Sequence, residues 1–177
     1  MEWCQGKPVL PGIRRRAYIV PASAVVAWPK YERDDLGRPN SAKLTGSFTL
    51  AEGVKFVVID HLPEKAETKS EAQGEFPSMT FNNQATLVHP GTGAEATAAI
   101  ASVINQEAVV IVEDMEGKFR VFGSERWPAK ITPSQDLGQG ATGTAGTTLA
   151  VAATDEVSMP FYEGEIPTEE GTINQKA

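Results

Sequence analysis

The pattern of apolar and polar positions is clearest across residues 81–123, which read as a strand, a helix and a tight hairpin. The stretch FNNQATLVH, residues 81–89, gives the strand. Thr92 and Glu95 have the spacing of a capping box, in which each side chain satisfies a free backbone N–H of the first helical turn. Ala96, Ala99, Ile100, Val103 and Ile104 recur at three- and four-residue steps and fall on one face, so a helix is expected at about 92–105. Val109, Val110, Ile111 and Val112 form a β-branched run, and residues 119–122 are its expected hairpin partner. Gly117 stands at the left-handed position that such a short loop requires. Cap, period and turn chemistry agree here, so this block is expected to form the core of the domain.

Weaker patterns flank it. Residues 1–16 contain Gly6, Pro8, Pro11 and Gly12 and predict an irregular arm. Residues 17–20 and 25–28 are short apolar runs, each stopped by a proline, and read as edge strands. Residues 30–42 predict a charged loop, and residues 44–50 and 55–60 two strands. In the second of these, Phe56 and Val58 point one way and Val57 and Ile59 the other. Apolar residues on both faces predict a strand covered twice, in a sandwich or at a subunit contact. Residues 61–79, with Glu64, Lys65, Glu67, Lys69 and Glu71, are nearly all polar and predict an extended arm or long hairpin that leaves the domain body. Strands are further expected at 128–132, 147–153 and 159–162, with a Gly/Thr-rich loop at 133–146 and an acidic, mobile tail at 163–177. About nine strands to one helix predict a mainly β (α+β) fold, an antiparallel β-sandwich or barrel with one flanking α-helix, as a single domain over 17–162.

The 177 residues suffice for one domain with its own core, and 41% hydrophobic with 22% charged residues is ordinary for a soluble globular protein. No apolar run approaches the roughly 20 residues of a membrane span. The first residues lack a signal peptide's apolar core, so the protein is expected to be made in the cytoplasm. One cysteine excludes an internal disulfide. The net charge of −7 argues against a dedicated nucleic-acid binder, which needs clustered Lys and Arg. Residues 1–60 carry nine basic and six acidic side chains, residues 61–177 seven and seventeen. That asymmetry suits head-to-tail self-association, or is simply solvated charge.

Candidate chemistry is sparse. Residues 138–143 spell G-x-G-x-x-G, but dinucleotide binding needs that string between a strand and a helix N-terminus, and here a strand follows. His61 and His89 lack partners at metal spacing, and Asp34 and Asp35 match no calcium loop. Glu113, Asp114 and Glu116 crowd a hairpin tip, where carboxylates are normally solvated. Arg14, Arg15 and Arg16 offer a phosphate grip, or are solvated or paired with acids of a neighbour. No catalytic residue, cofactor or metal is expected.

The order of elements over residues 86–165 resembles the tail tube (major tail) proteins of tailed bacteriophages. The stretches concerned are the helix after HPG, AVVIVEDMEGKFRVFGSE, the Gly/Thr loop, and TTLAVAATDE running into MPFYEGE. The resemblance covers the C-terminal half and implies a homo-oligomer. Six copies would form a ring, and rings would stack into a tube that conducts DNA without binding it specifically. It further implies location in the virion tail and contacts with tape measure, terminator and baseplate or tip proteins. The same fold serves inner tubes of contractile injection systems. On this reading the subunit-interface candidates are Phe56, Val57, Val58 and Ile59, the polar segment Glu64, Lys65, Glu67, Lys69 and Glu71, and Arg14, Arg15 and Arg16. A net acidic inner wall is expected, since like charge keeps DNA from adhering. The competing reading is a monomeric β-sandwich binding module or adhesin, which needs exposed aromatics in a groove. Trp28 and Trp127, each before a proline, read instead as packing or subunit contacts.

Overall fold

Val109, Val110, Ile111 and Val112 are fully buried, and the strand that carries them is the centre of the molecule. The structure is a computed structural model that describes residues 6 and 8–175. In chain order the elements are β1 (Ile13–Pro21), β2 (Val25–Ala27), β3 (Lys30–Arg33), β4 (Pro39–Thr45), β5 (Thr49–Leu50), β6 (Val57–Asp60), β7 (Glu67–Gln73), β8 (Thr80–Pro90) and α1 (Ala94–Val103). There follow β9 (Glu107–Asp114), β10 (Phe119–Phe122), β11 (Ala129–Asp136), β12 (Gly146–Asp155), β13 (Phe161–Tyr162), β14 (Ile166–Thr168) and β15 (Gly171–Ile173). The fold is mainly β with one α-helix, as the sequence predicts.

Strand β9 pairs with β1 along one edge, from Pro21↔Ala108 to Ile13↔Asp114. Its other edge takes β10 at residues 110–113 and then β11 at residues 107–108. From β10 the sheet continues through β13 and β4 to β3, and from β11 through β12 and β8 to β7. Every pairing in this sheet is antiparallel except β13 with β4. Strand alternation then makes two cores. Ala108, Val110 and Val112 of β9 join Ala17, Ile19, Leu87, Leu149 and Val151 on one face. Val109 and Ile111 join Tyr18, Val20, Phe48, Phe56, Phe119 and Tyr162 on the other. Burying each Val, Leu, Ile or Phe side chain stabilises by about 1.5–3 kcal/mol, so the doubly covered β1–β9–β10 layer is the main source of stability.

Two glycines shape the passage around β9. Gly117 has φ +86° in the β9–β10 turn, and the hairpin register Phe119↔Glu113 follows from that turn. Gly123 has φ +105° where the chain leaves β10 for β11. A Cβ there would lie 2.8 Å from Ala129 N and 2.9 Å from Ala108 O, too close for any side chain.

Several expectations are corrected. The predicted capping box is not formed: the helix begins one residue later than Thr92 could cap, Gly93 takes the N-cap position, and no side chain bonds to that end. The helix buries no residue completely. Ile100 and Val103 rest against the first core while Ile104 is exposed, so the core lies in the sheet. Residues 17–20 are not an edge strand but part of the inner strand β1, which starts at Ile13 and takes Arg14, Arg15 and Arg16 out of the irregular arm. Residues 30–42 form the β3–β4 hairpin, and β11 runs through Pro133 to Asp136. The strand covered on both faces is β9. Among the described residues strand β6 pairs only with β1, and Val57 is 56% exposed. The expected mobile tail instead folds as the β14–β15 hairpin, with Ile166 and Thr168 buried and Phe56 bridged to Thr168. Residues 61–79 belong to a hairpin, one of the two forms expected, but it does not leave the domain body: β7 pairs with β8 along its full length and lies in the sheet.

Candidate functional site

The three arginines of β1 are held by acids of the same chain. Arg14 Nη1 donates to Glu113 Oε1 at 2.7 Å, and Arg15 Nη2 to Asp60 Oδ2 at 3.1 Å. Arg16 Nη1 donates to Glu170 Oε2 at 2.9 Å, and its Nε lies 3.4 Å from Asp60 Oδ1. Antiparallel pairing of β1 with β6 places Arg16 opposite Asp60 and so brings these charges together. A groove of about 350 Å³ separates β6 from α1, lined by Val57, Val58, Ile59, Ala96, Ala99 and Ile100 among others.

The remaining polar candidates serve local structure. Asp114 Oδ1 accepts from the backbone N–H groups of Glu116 and Lys118 at 3.0 and 2.9 Å and so shapes the hairpin tip. The glycine string makes one short 3₁₀ turn (Gly140–Thr142) and returns into β12, so no helix N-terminus faces it. His89 Nδ1 lies 2.7 Å from the carbonyl of Asp60. His61 is buried, neither ring nitrogen has a hydrogen-bond partner among the described residues, and burial pushes its pKa below the ordinary value. Among the described residues, no three His, Cys, Asp or Glu side chains converge as a metal site requires.

The β11–β12–β8–β7 sheet has a different character. Its registers align rows of side chains across all four strands, such as Lys130, Ala152, Gln84 and Lys69, and beside them Thr132, Ala150, Thr86 and Glu67. These rows form the outer face. The rows between them, such as Ile131, Val151 and Ala85, enter the first core. The outer face thus carries mainly hydroxyl, amide and methyl groups, with Glu67, Glu71 and Asp136 set against Lys69 and Lys130. Glu64 and Lys65 lie in the turn that leads into β7. Both sides of this sheet are open. Among the described residues no strand pairs with the outer edge of β7, and β11 meets β9 only at Ala129 and Lys130. Pro133, which has no N–H to offer a ladder, stands in the open part of β11.

A cleft of about 380 Å³ lies at one end of this sheet, lined by Trp28, Tyr31, Arg33, Phe48, Trp127 and Asp155 among others. The Tyr31 hydroxyl donates to Asp155 Oδ1 at 2.8 Å, and the N–H of Val157 donates to the same oxygen at 3.2 Å. Burial raises the Asp155 carboxyl above the usual carboxylate range and raises the Tyr31 phenol as well. Arg33 and Arg126 both approach Glu156, at 2.9 and 3.5 Å. Sequence reasoning placed Tyr31 in a charged loop and gave Asp155 no role, because no local signal links residues 124 positions apart.

Comparison of the chain with protein-family models, curated proteins and solved structures returns no match.

Proposed function

We propose that the protein is a structural subunit of a phage-type tail tube, assembling through sheet edges into rings that stack around a channel for DNA. The observation that carries this reading is the pair of open edges on the four-stranded sheet, β11 on one side and β7 on the other. Three antiparallel steps separate them, so the β7 of a second copy placed beside β11 continues the alternation. Such a contact is head-to-tail and closes into a ring when the rotation allows. It also removes the edges, which otherwise template uncontrolled pairing.

Closure into a barrel requires a stagger between strands. With no stagger, Lys130 at one edge would meet Lys69 at the other, since both end the same row. A shift of two residues replaces that repulsion with Lys130 against Glu71 or Glu67. The outer face, with Glu67, Glu71 and Asp136 set against Lys69 and Lys130 and little apolar bulk, would line the channel. It is only weakly acidic, less so than the wall expected from the sequence, and would give a phosphate backbone little to hold. The polar segment 61–79 then supplies the lateral strand, and the groove beside β6, with Val57 exposed, is left for ring stacking.

Negative-stain electron microscopy of the purified protein tests the reading. Rings or tubes with an axial hole are expected, and monomers at every concentration would remove it. A second reading, a saccharide-binding module, draws on the Trp28, Tyr31 and Trp127 cleft. Binding to a glycan array by a protein that never assembles would select it.

A further inference from the structure

The β7–β8 hairpin ends in an apolar tip that its own chain leaves uncovered. Phe76 is 90% exposed and Met79 51%, with Glu75 beside them. On the opposite edge of the sheet, Trp127 is 43% exposed in the loop that leads into β11. Beside it is a hollow of about 250 Å³ lined by Asn82, Arg126, Trp127, Lys130, Ala152 and Thr154 among others. Phe76, Pro77 and Met79 are all exposed in one turn, and contiguous apolar surface rimmed by polar residues marks interaction sites more than single exposed side chains do.

The two features lie at the same end of the sheet. Asp155, the last residue of β12, pairs with Phe81 next to the hairpin tip, and Ala152 pairs with Lys130 at the start of β11. We infer that the hairpin tip of one copy docks against Trp127 of the next, locking the strand register within the ring. This rests on the edge-to-edge assembly proposed above and makes a finer claim about it. Of the two staggers that relieve the Lys130–Lys69 clash, the one that places Lys130 beside Glu71 brings the tip into reach. Trp127 precedes Lys130 by three residues, at most about 10 Å of chain, and comes level with Gly74 at the start of the tip. The other stagger places Trp127 beside the middle of β7, away from Phe76. Charge agrees with the first: Glu75 at the tip faces Arg126, whose side chain is 73% exposed and only 3.5 Å from Glu156 at its closest acid. An aromatic anchor seated in a hollow and flanked by one opposite-charge pair has the composition of an interface hot spot.

The test uses the full chain with Cys4→Ser, carrying Ser78→Cys and Glu125→Cys together at exposed positions beside the two anchors, and a short bismaleimide. A ladder of crosslinked species that ends at one closed oligomer is expected, with none from either single variant. Phe76→Ser, at a site exposed in the monomer, should keep the unfolding midpoint and raise the concentration needed for rings by about 30-fold. Normal rings from Phe76→Ser, or rings of the two-cysteine chain that give no crosslink, would overturn the contact while leaving the ring proposal standing. Absence of rings from the unaltered chain would sink both. Trp127→Ala that abolishes saccharide binding and leaves rings intact would assign the hollow to a glycan and overturn the contact.

Discussion

The hydroxyl of Tyr31 donates a 2.8 Å hydrogen bond to Oδ1 of Asp155, tying β3 at one end of the sheet path to the end of β12 in the other wing. This bond partly offsets the burial that raises the carboxyl. Because the folded pKa lies above the unfolded value, the carboxyl's contribution to stability is present below the unfolded pKa and is lost as pH rises through the folded one. Tyr31→Phe removes the offset and should cost about 1–3 kcal/mol, more at pH 7 than at pH 4. Urea unfolding at both pH values checks this. An equal penalty at the two would show that Asp155 does not bear charge in its buried site.

His61 has the opposite sign. It is 3% exposed, has no hydrogen-bond partner at either ring nitrogen among the described residues, and burial disfavours its charged form, so its folded pKa lies below the ordinary histidine value. The unfolded chain then binds the proton first. The contribution is fully present above about pH 6.5 and is lost as pH falls through the folded pKa. His61→Leu should flatten the stability profile between pH 7 and pH 5 relative to the parent. Parallel thermal melts whose difference does not change with pH would refute this assignment.

Thr92 carries no cap. Replacing a working Ser or Thr N-cap with alanine costs about 1 kcal/mol, whereas surface substitutions away from special features stay within about 0.5 kcal/mol. Thr92→Ala should therefore change stability by less than about 0.5 kcal/mol. By contrast, Gly123→Ala should cost several-fold more, since its Cβ would strike backbone atoms of both β9 and β11. Chemical denaturation of the two variants separates the cases, and a full capping penalty at Thr92 would contradict the helix start at Ala94.

The register between copies makes its own charge prediction. Lys130→Glu and Glu71→Lys should each impair ring formation, by about 0.2–1 kcal/mol per contact multiplied around the ring. The double exchange should restore it. Sedimentation of the three variants measures this, and impairment that persists in the double variant would reject the Lys130–Glu71 pairing.

The sequence by itself determined the β9–β10 hairpin, because β-branched runs and Gly117 act between near neighbours. It also determined the mainly β class and the lone helix with its Ile100 and Val103 contact face. The polar stretch at residues 61–79 was legible only as an arm or a hairpin leaving the body, because polarity alone does not show that β7 joins the sheet beside β8. Which strand became the doubly covered centre was decided only in three dimensions. Residues 56–59 and 109–112 look alike as apolar runs, yet β9 gains partners on both edges and cover on both faces while β6 is left at a margin. The same holds for Arg14, Arg15 and Arg16, whose acids lie tens of residues away, and for Trp28, Tyr31 and Trp127, which meet in one cleft. Periodicity reports the face a residue turns inward. It carries no information about which distant strand will cover that face, because that choice depends on how the whole sheet closes around β9.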